Sequence, residues 1–307
     1  MSICICAITF NSLAFIDEFL DCIAAQGHPD WRLVIVDNAS VDGTIERLAK
    51  IEDIRISVIL NITNVGVAAA TNQGIAFALE VGAENIVLMN NDTAFDSDLL
   101  SRLEESLEEN NCDALSPLIT FYDDHRKIWY AGGGFQYFHG FCSTHYNINK
   151  STDLVPGDVQ EVEYCPTTCM IIRKEVFEAV GPLDEQFFCY TEDSDYLWRM
   201  KLKGLKTVID PSIHFRHRVS ALTGGRRSDF SIRYNQRNQL YFTRKYHGWP
   251  LVLYTILAAS FRTSVRVMAG RENLHQARVR FRAIREGLSV PVPATMASST
   301  QFSSAAR

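Results

Sequence analysis

Acidic residues are scarce in the last third of this chain, and basic ones are scarce in the rest. Residues 199–307 carry 4 Asp and Glu against 20 Lys and Arg, whereas residues 1–198 carry 32 acids and 10 bases. An overall charge of −6 therefore hides a front part at −22 and a back third at +16. Long apolar runs are also missing. The longest, residues 249–261 with Pro250 inside it, is too short to span a bilayer. The start, "MSICICAITF", lacks a basic segment and turns polar at Asn11, so a signal peptide is not expected. No G-x-G-x-x-G follows the first apolar run and no G-x-x-x-x-G-K-[ST] occurs, which argues against ordinary dinucleotide and P-loop sites. There is no internal repeat. Of eight cysteines, only Cys165 and Cys169 stand at ligand spacing, and no second Cys/His pair completes a zinc site. Buried free thiols are the expectation, and reduced thiols fit a cytoplasmic protein.

What is present is an alternation. "CICAITF", "WRLVIVD", "IRISVIL" and "NIVLMN" read as buried strands. Between the first two, Leu13, Ile16, Phe19, Leu20 and Ile23 share one helical face. "TIERLAKI" and "VAAATNQGIAFALEVG" are the next helices, and "SDLLSRLEESLEEN" follows the fourth strand. The alternation predicts a mainly parallel α/β sheet with helices on both faces. "YAGGGFQYFHGFCS" reads as an antiparallel hairpin or a flap, "CMIIRKEVFEAVG" as strand then helix, "EDSDYLWRMKLKG" as a helix with an acidic start, and "KTVID" as a last strand. From Ser228 the pattern gives two or three helices, and residues 291–307 a disordered tail.

Ligands of such sheets bind at the carboxyl ends of the strands, and that is where the polar clusters fall: Thr9 and Asn11, Asp37 and Asn38, Asn61 and Asn64, Asn91 and Asp92. "NNDT" is a turn when taken alone. In this company Asp92 is a candidate ligand for Mg2+ or Mn2+, with Asn91 placing it. Asp37 can accept from a base or a ribose. The densest cluster, "LDEQFFCYTEDSDYLWRM", holds Asp184, Glu185, Glu192, Asp193 and Asp195 among aromatics. Mutual repulsion and desolvation raise carboxyl pKa values and suit one of them to general-base work. Helix capping is the competing reading of these acids, as core packing is of the aromatics. His217 after the last strand is a candidate metal ligand or a plain loop histidine, and His214 competes with it.

Together these stretches resemble glycosyltransferase family 2, the inverting transferases of GT-A fold, and most of all its rhamnosyltransferase-like bacterial members. The likeness runs in family order through "ITFN", "IVDNASVDGT", "NVGVAAATNQGI", "VLMNNDT", "GPLDEQFFCYTEDSDYLWRMKLKG", "HRVSALTGG" and "YNQRNQLYFTRKY". It implies that Thr9, Asn11 and Asp37 bind base and ribose, with Asn64, Gly66 and Asn72 lining the same pocket. Asp92 would bind the metal with help from His217. Asp193 would be the catalytic base, with Glu192 supporting it or meeting the acceptor. Arg237 and Asn238 match a family "RN" pair. The sequence departs in opening its metal motif with Asn90 and Asn91, and in carrying Thr167 or Thr168 where relatives commonly have glycine near the donor sugar.

The resemblance implies a GT-A catalytic domain over residues 1–225, with a nucleotide-binding half (1–110) and an acceptor and catalytic half (111–225). A basic helical region (226–290) and the tail (291–307) follow. It implies transfer of a sugar from a nucleotide diphosphate sugar, dTDP- or UDP-linked and rhamnose-like, to a saccharide or lipid-linked acceptor in cell-surface polysaccharide synthesis. No nucleic acid partner is expected. The basic helices suit peripheral contact at the inner face of the plasma membrane, or else an ordinary buried helix or a homodimer contact. The rival readings are a nucleotidyltransferase, which usually needs a basic glycine-rich loop that "ITFNSLAF" does not supply, and a non-catalytic carbohydrate-binding or scaffold protein on the same fold.

Overall fold

The computed structural model describes residues 2–136, 142–219 and 228–293. They divide into two compact units. One comprises residues 1–134 with 143–222, the other 135–142 with 223–307.

In the first unit, β1 (Ile3–Thr9), α1 (Leu13–Ala24), β2 (Trp31–Asp37), α2 (Thr44–Leu48), β3 (Ile56–Leu60), α3 (Val67–Glu80) and β4 (Asn85–Asn90) form the expected alternation. β4, β1, β2 and β3 lie side by side and parallel. Both faces of β1, β2 and β4 are buried almost end to end, the mark of a parallel sheet covered above and below. Each fully buried isoleucine or leucine there contributes about 1.5–3 kcal/mol. The small residues of α3 serve close approach to this sheet, since a Cβ on Gly74 would stand 3.2 Å from Cys6 Cβ.

The second half of the sheet is mixed. After β5 (Thr93–Phe95) and α4 (Leu99–Glu109) come β6 (Ala114–Phe121), β7 (Asp124–Tyr130) and the hairpin β8 (Gly133–Gln136) with β9 (Cys142–His145). β10 (Gln160–Glu161), β11 (Cys169–Arg173), α5 (Lys174–Val180), α6 (Glu192–Leu202) and β12 (Thr207–His217) complete the unit. β11 enters antiparallel between β4 and β6, while β12 runs parallel to β6. The last strand does not stop at Asp210 as its apolar run suggests. Pro211 removes a ladder donor, the register with β6 shifts between Asp210 and His214, and the strand resumes to His217. That bulged extension positions the site below. None of the eight cysteines is joined in a disulfide.

The second unit holds α7 (Asp229–Tyr246), α8 (Trp249–Met268) and α9 (Leu274–Ser289) around a small core of Leu240, Val252, Ala259 and Ile284. A Cβ on Gly287 would stand 2.5 Å from the Arg237 carbonyl, so α9 and α7 touch backbone to backbone. α8 is longer than its apolar run. It continues past Arg262 and Arg266 to 20 residues and is, by length and composition, able to cross a membrane. The two arginines interrupt the run that reads as too short. Most of the tail, residues 294–307, and the "SALTGG" stretch lie outside the described residues.

Candidate functional site

β5 and β12 pair antiparallel with Thr93 opposite His217, and the Arg218 N–H donates to the Asp92 carbonyl at 2.9 Å. This register brings His217 Nε2 to 3.3 Å from Asp92 Oδ1, both side chains being buried. The contact lacks hydrogen-bond geometry. Asp92 Oδ1, His217 Nδ1 and Asn91 Oδ1 are buried atoms with no hydrogen-bond partner. Asn91 Nδ2 donates to the Ile8 carbonyl (2.8 Å) and to Ser12 Oγ (2.9 Å), which braces the end of β4 against β1. His214 is exposed, so of the two histidines it is His217 that meets Asp92. A carboxylate oxygen and an imidazole are donors that suit Mg2+ or Mn2+. Among the described residues no three His, Cys, Asp or Glu side chains gather. The two donor atoms suit a divalent cation but do not by themselves make a closed ligand set.

Three of the five acids at 184–195 have structural tasks. Asp184 accepts from the Gln186 N–H and Glu185 accepts from Asn72. Asp195 pairs with Arg199 at 2.9 Å inside the core, and Arg199 also donates to the Val180 and Pro182 carbonyls. Glu192 and Asp193 remain at the start of α6, Glu192 buried and Asp193 half-buried. Asp193 Oδ2 accepts from the Tyr164 hydroxyl at 2.6 Å, and Oδ1 accepts from the Ser194 N–H at 2.6 Å. Glu192 Oε2 is buried without a partner. Burial, and then the neighbouring Asp193 charge, push the Glu192 carboxyl up to about 8. Burial also raises Asp193, against the pull of the Tyr164 and Ser194 hydrogen bonds. Those bonds favour the pair's negative charge on Asp193 over Glu192.

The turn leading into α6 is strained. Phe188, Tyr190 and Thr191 all have positive φ, a conformation that ordinary side chains rarely adopt. α3 holds it in place. Val67 N–H donates to the Phe188 carbonyl, and Gly66, at φ 89°, leaves no space, since a Cβ there would stand 2.6 Å from Phe188. Asn64 Oδ1 accepts from the Gly66 N–H. Asn72 binds both the N–H and the carbonyl of Leu183. Asn64, Gly66 and Asn72 thus clamp the acidic turn.

Thr9, Asn11 and Asp37 come together at the ends of β1 and β2. Asp37 is fully buried. It accepts from Thr9 Oγ1 (2.8 Å), the Ser40 N–H (2.9 Å) and Ser40 Oγ (2.6 Å). Asn11 N–H donates to Ser40 Oγ, and its side chain accepts from the Val41 N–H. Arg237 and Asn238 lie in the second unit, on α7, where Arg237 Nη1 donates to Asn238 Oδ1.

Three side chains that sequence reading misses connect these groups. Trp129 meets His217 edge to face at 4.6 Å between ring centres, and meets His145 in the same way at 4.6 Å. His145 lies 5.7 Å from Tyr164, which donates to Asp193. His145 Nδ1 is 2.9 Å from the Trp129 carbonyl. A continuous chain thus runs from Asp92 through His217, Trp129, His145 and Tyr164 to Asp193. The only signal in the sequence is the richness of residues 129–146 in aromatics and glycine.

Comparison with known proteins gives a match to the sequence model of glycosyl transferase family 2 over residues 4–181, more than half of the chain. A relative named dTDP-rhamnosyl transferase RfbF, of Shigella flexneri, is 26% identical over 189 residues, covering 61% of this chain and 60% of its own length. A relative named N-acetylglucosaminyl-diphospho-decaprenol L-rhamnosyltransferase, of Mycobacterium tuberculosis, is 22% identical over 266 residues, covering 79% of this chain and 84% of its own. Among solved structures, GalNAc-T7 with UDP, GalNAc and Mn2+ superposes with a TM-score of 0.64 at 11% identity. The match covers 94% of this chain and 56% of that one. S. aureus TarS (1–349) in complex with UDP-GlcNAc does so with a TM-score of 0.58 at 15% identity, over 94% and 81%. At such identities the structures show the fold, which is GT-A. The chain spans 60% of the length of the first of these relatives.

Proposed function

The chain belongs to glycosyl transferase family 2, and from that membership we propose that it moves a sugar from a nucleotide diphosphate sugar to a saccharide or lipid-linked acceptor, with inversion. The relatives' names support a dTDP-linked, rhamnose-like donor, a UDP-linked one is supported by the UDP and UDP-GlcNAc in the neighbouring structures, and the product would belong to cell-surface polysaccharide synthesis. A nucleotide sugar donor would in turn imply a cytoplasmic site of action. The observation that carries the proposal is the connected chain between Asp92 with His217 and Asp193, two polar ends within one unit. Residues 1–110 would serve the nucleotide, with Thr9, Asn11 and Asp37 at the base and ribose and Asn64, Gly66 and Asn72 shaping the pocket wall. Residues 111–225 would serve the acceptor.

Asp193 is the base. It takes the proton of the acceptor hydroxyl as that oxygen bonds to the anomeric carbon. The bond from that carbon to the diphosphate breaks, and its electron pair leaves with the phosphate. One displacement on the face opposite the leaving group inverts the anomeric centre. Tyr164 and Ser194 keep Asp193 ionised and aimed, and protonated Glu192 avoids a second charge beside it. Asp92 and His217 would hold Mg2+ or Mn2+, with Asn91 fixing the strand end, and the ion when bound neutralises charge on the diphosphate.

A panel of UDP- and dTDP-sugars, tested for a Mg2+- or Mn2+-dependent rise in melting temperature, selects the donor. Product configuration by NMR then tests the transfer. A retained anomeric configuration would end the single-displacement reading. Binding without turnover on any acceptor would favour the non-catalytic carbohydrate-binding alternative.

A further inference from the structure

Along α8, Trp249, Leu253, Leu257, Phe261 and Val265 repeat every four residues, Met268 ends the row, and all six are exposed. Leu257 is 70%, Phe261 71% and Met268 79% exposed, values unusual for side chains of this size in a row. By the helical period, Arg262 and Arg266 lie off this row. They are the helix's only charged residues. The opposite side, with Val252, Thr255, Ala259 and Thr263, is the buried one. The neighbouring α9 is exposed differently: Leu274 and Phe281 stand among exposed Arg278, Arg282 and Arg285. Residues 228–293 hold eleven Lys and Arg against three Asp and Glu. All three acids are already engaged, Asp229 with His275, Glu272 with Arg266 and Arg280, and Glu286 with Arg233.

We infer that the outer faces of α8 and α9 dock this chain on an anionic lipid bilayer, with the α8 row inserted among the acyl chains and the α9 arginines at the headgroups. An uncharged apolar helix face beside exposed arginines matches an interfacial helix pair. A second copy of the chain fits less well, because it would bring a like charge of +8 against the same face. A spanning role would strip the buried side of α8 from α7 and α9, both rich in charge, and leave them facing hydrocarbon.

The test uses the full chain and vesicles of phosphatidylcholine with roughly one-third phosphatidylglycerol. The chain floats with these vesicles, floats poorly with pure phosphatidylcholine, and is released by an alkaline wash. Leu257→Glu with Phe261→Glu lowers the bound fraction at least ~10-fold, and Arg278→Glu with Arg282→Glu and Arg285→Glu abolishes the preference for anionic lipid. All five positions are exposed, so melting temperature and far-UV circular dichroism stay at the parent values and certify the fold. Absence of vesicle binding by the parent chain overturns the inference. So does binding unchanged in the Leu257/Phe261 variant, or a lipid-free dimer that this variant dissociates. Resistance to the alkaline wash would replace surface docking with a spanning helix. None of these outcomes bears on transfer to a soluble acceptor, so the transferase reading stands or falls separately.

Discussion

At the end of β2, Asp37 is fully buried and accepts hydrogen bonds from Thr9 and twice from Ser40. At the end of β4, Asp92 is nearly as buried, yet its Oδ1 accepts none and faces a histidine whose Nδ1 is equally unpartnered. Leaving a buried polar atom unsatisfied costs about 1–3 kcal/mol, and a fold retains such atoms where something else uses them. Glu192 Oε2 adds a third. The two strand ends therefore differ in kind. The Asp37 cluster is complete without a ligand, whereas Asp92 Oδ1 and Glu192 Oε2 are left without partners.

The largest test of this contrast is Asp193→Asn. It removes the proton acceptor but keeps the shape, so turnover falls roughly 10²- to 10⁴-fold while donor affinity by calorimetry stays within a factor of a few. Turnover near the parent value would move the base elsewhere. Next comes a crossed pair. Asp37→Ala leaves the Thr9 and Ser40 donors unpaired in the core and lowers unfolding free energy by about 1–3 kcal/mol in urea titration. Asp92→Ala removes an unsatisfied atom and costs little stability, but donor affinity in Mg2+ or Mn2+ drops at least about tenfold and becomes insensitive to chelator. If the two substitutions exchange effects, the contrast is inverted.

The first half of the fold is legible because its strands are continuous apolar runs that end in polar clusters, and parallel order follows from the helices between them. β11 is legible as a strand in "CMIIR", but its antiparallel insertion between β4 and β6 and the bulged end of β12 are not, since neither strand direction nor a Pro211 bulge leaves a periodic trace. The same reason hides Trp129, His145 and Tyr164. They meet only after β7, the β8–β9 hairpin and the segment before β11 fold against one another, and aromatic composition alone does not say which rings touch. Among the acids, spacing gathers all five at one place but cannot sort them. Asp195 is spoken for by Arg199 four residues on, a pair readable in hindsight, while Asp184 and Glu185 are assigned only by the turn geometry.

Gly66 sharpens the comparison from the scaffold side. Its φ of 89° and the Phe188 backbone 2.6 Å from any Cβ there make Gly66→Ala strained twice over. Stability falls by about 1–3 kcal/mol. Because Val67 anchors Phe188, the displaced turn also shifts the start of α6, and turnover drops more than donor affinity does. A variant with lower stability but unchanged turnover would separate the clamp from the Glu192–Asp193 pair.

A last effect is one of pH. Glu192 keeps its proton in the folded chain up to about pH 8, where its ordinary value is 4.5. Between those values the folded state binds more protons than the unfolded one, so stability is full below pH 4.5 and declines as pH rises towards 8. The causes are burial of the carboxyl and then the neighbouring Asp193 charge. Glu192→Gln cannot ionise, and its melting temperature therefore changes less between pH 5 and pH 8 than that of the parent chain. Parallel profiles for the two proteins would mean that Glu192 is ionised in the folded state, which would leave two adjacent carboxylates charged and remove the reason for assigning the base to Asp193 rather than to either of the pair.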